Sequence, residues 1–185
     1  MKVHQTALPG VVLLEPQVHV DERGFFTERF NAREFAGITG SDVRFVQDNH
    51  SHSVRGVLRG LHYQVQHTQG KLVRVIRGTV FDVAVDLRRS SPAFGRWEAH
   101  ELSEHNHLQV WIPPGFAHGL FVLSDVADVL YSTTDFHAPG HERSIRWDDP
   151  DLGIPWPLAR AGVQAPLLSA RDRGAVPFAQ ADVFD

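Results

Sequence analysis

Short segments that alternate apolar and polar residues at period two run through most of this chain. The pieces between them are short and rich in glycine and proline, leaving no room for crossover helices. Side chains on an extended strand point to opposite faces in turn. In Val80 to Leu87, Phe81, Val83, Val85 and Leu87 therefore share one face and Val80, Asp82, Ala84 and Asp86 the other, which predicts a strand with one apolar face. The same pattern predicts strands near Val11 to Leu14, Phe25 to Phe30, Val43 to Ser53, Val57 to Gln64, Lys71 to Arg77, Trp97 to Leu102, Gln109 to Ile112, His118 to Leu123 and Val129 to Thr134. Turns such as Arg89 to Gly95 and Pro113, Pro114, Gly115 separate them. Helix is confined to a turn or two at Ala32 to Phe35 and a little near the C-terminus. Such a chain folds as an all-β sandwich, barrel or jelly roll, because a parallel sheet needs longer connections.

At 185 residues the chain is long enough for one full hydrophobic core, and residues 1–185 read as a single domain with core strands from about 11 to 147. After Trp147 prolines crowd in (Pro150, Pro155, Pro157, Pro166, Pro177). Proline cannot donate to a sheet ladder, so the irregular tail, residues 148–185, is expected to wrap the barrel rather than extend its sheets. A net charge of -4 lacks the basic excess that a nucleic acid polymer calls for. No apolar stretch approaches the roughly 18 residues of a membrane span, and the start MKVHQTALPG lacks the charged-then-apolar pattern of a secretion signal. The expected compartment is the cytoplasm. The absence of cysteine excludes thiol catalysis, disulfides and cysteine-ligated metals, which leaves the 12 histidines to be explained.

The run GVLRGLHYQ, residues 56–64, delivers Arg59 and His62 on one predicted strand. A histidine titrates near neutrality, so His62 on a rigid strand could take or give a proton; the alternative is a hydrogen-bonded core histidine. The fork of Arg59 suits a phosphate or carboxylate on a ligand, or else a surface acid. Three apart on an unbroken strand, the two face opposite ways. Reaching one ligand requires a bend or bulge, expected at Gly60, failing which Arg59 acts from a rim or across a dimer. Gln47, Asn49, Ser51 and Ser53 alternate on one face, and Lys71 opens a later strand. Facing inward, such polar residues line a ligand cavity; facing outward, they meet solvent. His118, between IPPGFA and LFVL, has apolar neighbours, so its ring needs a partner or a ligand. Tyr131 shares a face with Val129 and Thr133, where a phenol either donates a proton beneath a cavity or simply packs. His50 and His52 in HSH, with His105 and His107 in HNH, are the candidates for a metal. Neither pair is followed by the glutamate and distant histidine that would complete a site, and HNH reads as a polar turn, so no metal is expected.

Ordered blocks over nearly the whole chain carry a resemblance: DERGFF (21–26), FVQDNHSHS (45–53), GVLRGLHYQ (56–64), GKLVRV (70–75), FDVAVDLR (81–88), SPAFGRW (91–97), WIPPGFAHG (111–119), VLY (129–131), RWDDP (146–150) and LSARD (168–172). The sequence resembles the dTDP-4-dehydrorhamnose 3,5-epimerases, deoxysugar epimerases of the cupin superfamily. The resemblance implies a cupin-type jelly roll with short helices, a homodimer, no metal and no organic cofactor, and a dTDP-linked 4-keto-6-deoxyhexose as substrate. It implies His62 as base, Tyr131 as acid on the opposite sugar face and Asp172 as partner of the base. It also implies substrate contacts at Lys71, Arg59, His118, Arg23, Glu28, Gln47 and Asn49.

Elementary chemistry agrees with these roles. A hydrogen beside a ketone is acidic because the carbanion spreads onto oxygen, so a cationic Lys71 or a donor from His118 near that oxygen stabilises the enolate. Inversion needs two opposed groups. Where the family usually has a pair of aromatic residues after Tyr131, this chain has Phe136 and His137, and His137 falls on a substrate-contacting position. The first alternative is inversion at carbon 3 or carbon 5 only, as in antibiotic-sugar pathways. Others are a cupin that binds metal or sugar nucleotide without turnover, a metal-dependent oxygenase, or a sugar 3,4-ketoisomerase. A jelly roll leaves sheet edges, and an N-terminal strand exchanged between two subunits would cover one.

Overall fold

In the computed structural model, which describes residues 1–185, the alternating segments become strands within a few residues of their expected bounds. They run β1 (Lys2–His4), β2 (Val12–Glu15), β3 (Val18–Asp21), β4 (Gly24–Thr27), β5 (Gln47–Val54), β6 (Leu58–Gln64), β7 (Lys71–Arg77), β8 (Thr79–Asp86), β9 (Trp97–Ser103), β10 (Gln109–Ile112), β11 (Phe116–Val122), β12 (Val126–Thr133) and β13 (Glu142–Ser144). A six-stranded antiparallel sheet in the order β1-β2-β10-β7-β12-β5 packs on a five-stranded one in the order β13-β6-β11-β8-β9. Strands β3 and β4 form a separate hairpin. The architecture is the all-β jelly roll expected.

Three strands went unpredicted: β1 and β13, of three residues each, are too short for alternation to show, whereas β3 alternates over four residues but pairs only with β4 in a local hairpin. Strand β5 starts at Gln47, not Val43, because Phe45 turns out of the sheet to join Phe30, Phe35 and Trp111 in an aromatic cluster. The helix α1 (Ala32–Thr39) is longer than predicted. Asn31 caps it by accepting from the Arg33 and Glu34 amides, and Gly40, at φ 68°, ends it in the left-handed conformation a glycine adopts freely. Its buried Phe35 packs edge-on against Trp111, over Leu14 and Leu72 on the outer face of the six-stranded sheet.

Between the two sheets lies the main core, with Val73, Val75, Val80, Ala84, Ile112, Phe116, Leu120 and Val129. A second core fills the outer face of the five-stranded sheet, where Leu152, Ile154, Trp156 and Ala161 of the tail cover Leu58, Leu61, Tyr63, Val83 and Val85. The tail therefore wraps the barrel, touching the sheets through the single bridges Val57–Leu167, Ile145–Val176 and Arg88–Phe184. This covering corrects the expectation of one apolar face on β8. Both of its faces are buried, and Asp82 and Asp86 survive there, 2% and 0% exposed, because each carboxylate has a cationic or imidazole partner: His118 for the first, Arg88 for the second.

Candidate active site

One end of the barrel opens into a cavity of about 370 Å³. Gln47 and Asn49 of β5, Lys71 of β7 and Tyr131 of β12 reach it from the six-stranded sheet. His62 of β6 and Glu142 of β13 reach it from the five-stranded one. Gln69, His137 and Arg171, the last from the short helix α2 (Ala170–Arg173), complete the lining.

The predicted irregularity at Gly60 exists. His62 pairs with His118 and Arg59 with Leu120, so Gly60 and Leu61 together stand against Gly119 alone, a β-bulge. Gly60 has φ 133°, and a Cβ there would lie 2.5 Å from the Gly119 Cα, so only glycine fits. The extra residue resets the alternation, and Leu58 and Leu61 both face the outer core while Arg59 and His62 face inward. Arg59 then spans the seam between the sheets, donating to Ser53 Oγ at 3.0 Å and the His52 carbonyl at 3.4 Å. It sits near Tyr131 rather than beside His62.

His62 Nε2 lies 2.5 Å from Oδ1 of Asp172. The other carboxylate oxygen accepts from Ser169 Oγ at 2.7 Å, and Ser169 is also the N-cap of α2, so the cap that starts the helix fixes the carboxylate. Burial pushes the Asp172 carboxyl up, but hydrogen bonds from His62 and Ser169 and the charge of Arg171 outweigh it and hold the group below its usual value. Burial also pulls His62 below its usual value, against the Asp172 hydrogen bond and with help from Arg171 and Lys71. His62 is thus a neutral imidazole at neutral pH, aimed into the cavity by a fixed anion. A proton taken up there is stabilised by Asp172.

Lys71, 9% exposed, is pushed down to about 8 by burial, with Asp82 and Glu142 opposing. Its Nζ donates to the His62 carbonyl at 3.4 Å. Burial raises Tyr131, so its phenol keeps its proton at neutral pH. Behind His62, buried His118 shares a 2.8 Å hydrogen bond with Asp82. On β5, Gln47 donates to Asn49 at 2.8 Å and Asn49 to the Tyr131 carbonyl at 3.4 Å, so these amides face inward. Gln47 also accepts from the backbone of His137 at 3.0 Å.

Arg23 and Glu28 do not join them within one chain. Arg23 is at the exposed tip of the β3–β4 hairpin, 2.5 Å from Asp21, and Glu28 lines a separate cavity of about 160 Å³ with Met1, His19 and Phe26. The imidazoles of His50 and His52 point outward from β5, and each lies 2.9 Å from the same oxygen of Asp128. His105 belongs to a turn, and His107 packs on Phe25 at 5.0 Å. Sequence reasoning missed Gln69, Glu142 and Arg171. Arg171 adjoins Asp172 in LSARD, a usable signal; Glu142, on a three-residue strand, offers none.

Comparison with known proteins adds an independent line. A family model described as dTDP-4-dehydrorhamnose 3,5-epimerase matches residues 5–180. The Pseudomonas aeruginosa protein of that name is 59% identical over 184 residues, covering 100% of this chain and 99% of its own length. The crystal structure of the Legionella pneumophila dTDP-6-deoxy-D-glucose-3,5-epimerase in complex with dTDP-4-keto-L-rhamnose superposes with a TM-score of 0.93 at 49% identity, covering 98% of this chain and 94% of that one. A 3'-monoepimerase from Streptomyces bikiniensis, in complex with dTDP-quinovose, gives a TM-score of 0.89 at 37% identity over 96% of this chain and 88% of its own. A match that runs from residue 5 to residue 180 spans both sheets and the tail that delivers Asp172, and the chain belongs to the dTDP-4-dehydrorhamnose 3,5-epimerase family.

Proposed function

We propose that this protein converts dTDP-4-dehydro-6-deoxy-D-glucose to dTDP-4-dehydro-L-rhamnose by inverting carbons 3 and 5. The observation that carries the reading is the opposition of His62 and Tyr131 on facing walls of one cavity. His62, neutral and held by Asp172, removes the proton beside the ketone. The enolate oxygen is met by the ammonium of Lys71, and Tyr131 returns a proton to the other face. Only protons move, so the chemistry calls for no redox cofactor. Arg59, Gln47 and Asn49 are assigned to the dTDP moiety, Arg59 by its fork for the diphosphate. Inversion at both carbons is preferred to inversion at one because identity is 59% to the Pseudomonas 3,5-epimerase and 37% to the mono-epimerase.

The working unit we propose is a homodimer. The β3–β4 hairpin exposes Val20, Phe25 and Phe26 (78%, 58% and 70%), an apolar surface suited to a second copy. Strand β1 pairs with its own β2, so the exchanged N-terminal element is assigned to this hairpin, which would carry Arg23 and Glu28 to the partner's cavity. No helix is long and apolar enough to cross a membrane. A charged sugar nucleotide that does not cross membranes supports the cytoplasm as the compartment.

The test is proton NMR of dTDP-4-keto-6-deoxyglucose with chelator-treated protein in heavy water, comparing wild type and His62→Ala. Deuterium entering at carbons 3 and 5, and lost in the variant, is the expected result. Entry at one carbon would establish a mono-epimerase, and entry at neither would overturn the reading.

A further inference from the structure

The proton-transfer scheme leaves His137 unused, yet it is wired to the base. Its Nε2 lies 3.3 Å from Oε1 of Glu142, and the other Glu142 oxygen accepts a short hydrogen bond from Arg171 Nη1. The second nitrogen of Arg171 is 3.3 Å from His62 Nε2 and 3.4 Å from Nδ1, which places the guanidinium over the imidazole. All four side chains line the same cavity, and those of His137 and Arg171 are about half exposed while that of Glu142 is 23% exposed.

This arrangement suits the empty enzyme better than the loaded one. A cation over His62 opposes the protonation that the base must undergo. Asp172 already accepts from His62 and Ser169, and Arg171 bonds Glu142 rather than Asp172. A diphosphate entering the cavity offers the guanidinium a better acceptor than one carboxylate, with charge-assisted bonds in a forked geometry. Once Arg171 leaves, Glu142 faces that diphosphate as a like charge. The groups around it are Lys71 from β7, His62 from β6, Tyr131 from β12, Arg171 from α2 and His137, and only His137 is already bound to it on the side away from Arg171.

We propose that His137 is a positioning residue that retains the Glu142 carboxylate, so that Arg171 can leave both Glu142 and the ring of His62 for the substrate diphosphate. The inference rests on the epimerase reading and deepens it. Calorimetric titration with dTDP tests it on wild type, His137→Phe, Glu142→Gln, the double variant and His137→Gln, at one pH and one ionic strength. His137→Phe is expected to bind dTDP roughly two- to five-fold more weakly, the lower part of what one hydrogen bond is worth. His137→Gln, which still donates to Glu142, should restore binding. In the Glu142→Gln background, His137→Phe should change nothing. Equal weakening in both backgrounds would mean that His137 touches the nucleotide directly and would overturn the latch, as would no weakening in either. Wild type failing to bind dTDP would instead bring down the substrate reading, and the latch with it. Melting curves of every variant separate weak binding from a folding defect.

Discussion

The two walls of the cavity are held differently. On the wall of β6, β11 and β8, the inward-facing imidazoles each have a partner: His62 on Asp172, which α2 supplies and Ser169 holds, and His118 on Asp82. That wall is also buried from behind by the tail. On the wall of β7, β12 and β5, Lys71 has one long bond to a carbonyl, and the Tyr131 phenol has no partner in the chain. Under the proposed roles, the base is preorganised and the wall that carries the acid is left with free donors. A group that must abstract a proton gains from fixed orientation, whereas donors that meet a developing enolate are worth most when nothing else already occupies them.

The largest expected effect tests this division of roles. His62→Ala should lower turnover about 10²- to 10⁴-fold and abolish deuterium entry from heavy water. Tyr131→Phe should lower inversion by a similar factor yet still admit deuterium with retained configuration, because the base wall still abstracts. Equal loss of deuterium entry in both variants, read by NMR, would break the comparison.

Removing the backing of the base wall comes next. Trp156, 8% exposed, packs edge-on against Phe81 at 5.9 Å and donates to the Trp147 carbonyl at 2.7 Å. Trp156→Ala should cost about 3–5 kcal/mol in denaturant unfolding. Well below its melting temperature the variant should retain the inversion chemistry of the acid wall while losing rate through a looser His62.

These walls were unequally legible in the sequence. Lys71–Arg77 and Gln109–Ile112 formed as predicted because alternation and flanking turns agree there. The bulge at Gly60 could be argued from geometry alone, since Arg59 and His62 could not otherwise share a face. The pairing of His62 with Asp172, 110 residues apart, came only through resemblance, because nothing local in a proline-rich tail marks where it will dock. Asp82 misled the reading of β8, as alternation cannot distinguish a solvated carboxylate from one buried against a histidine. Glu142 stayed hidden on a three-residue strand, and Arg23 and Glu28 lie where one chain alone does not bring them to the cavity.

A smaller effect is expected at the bulge itself. Gly60→Ala places a methyl group 2.5 Å from the Gly119 Cα at a φ of 133°, so the strands must part or the bulge must shift. The expected cost is about 1–3 kcal/mol, measured by denaturant unfolding. Turnover should fall more than in Trp156→Ala when both are compared at equal fractions folded, because this change moves His62 directly. Equal turnover would mean that the register of β6 is not what aims the base.

The smallest effect is a pH limb that belongs to the acid wall alone. Lys71 is pushed down to about 8, so its ammonium is lost at a pH where a surface lysine remains charged, and the enolate loses a counter-charge with it. Burial depresses His62, which places the acid limb below the ordinary histidine range, where protonation removes the base. The profile of kcat/KM should therefore be bell-shaped, fall about two-fold by pH 8 on the alkaline side, and show each limb tied to one wall. Lys71→Arg keeps its charge at that pH, so whatever activity it retains should no longer decline near pH 8, while its acid limb stays with His62. An alkaline limb that persists unchanged in Lys71→Arg would assign it to another group and remove Lys71 from the acid wall's chemistry.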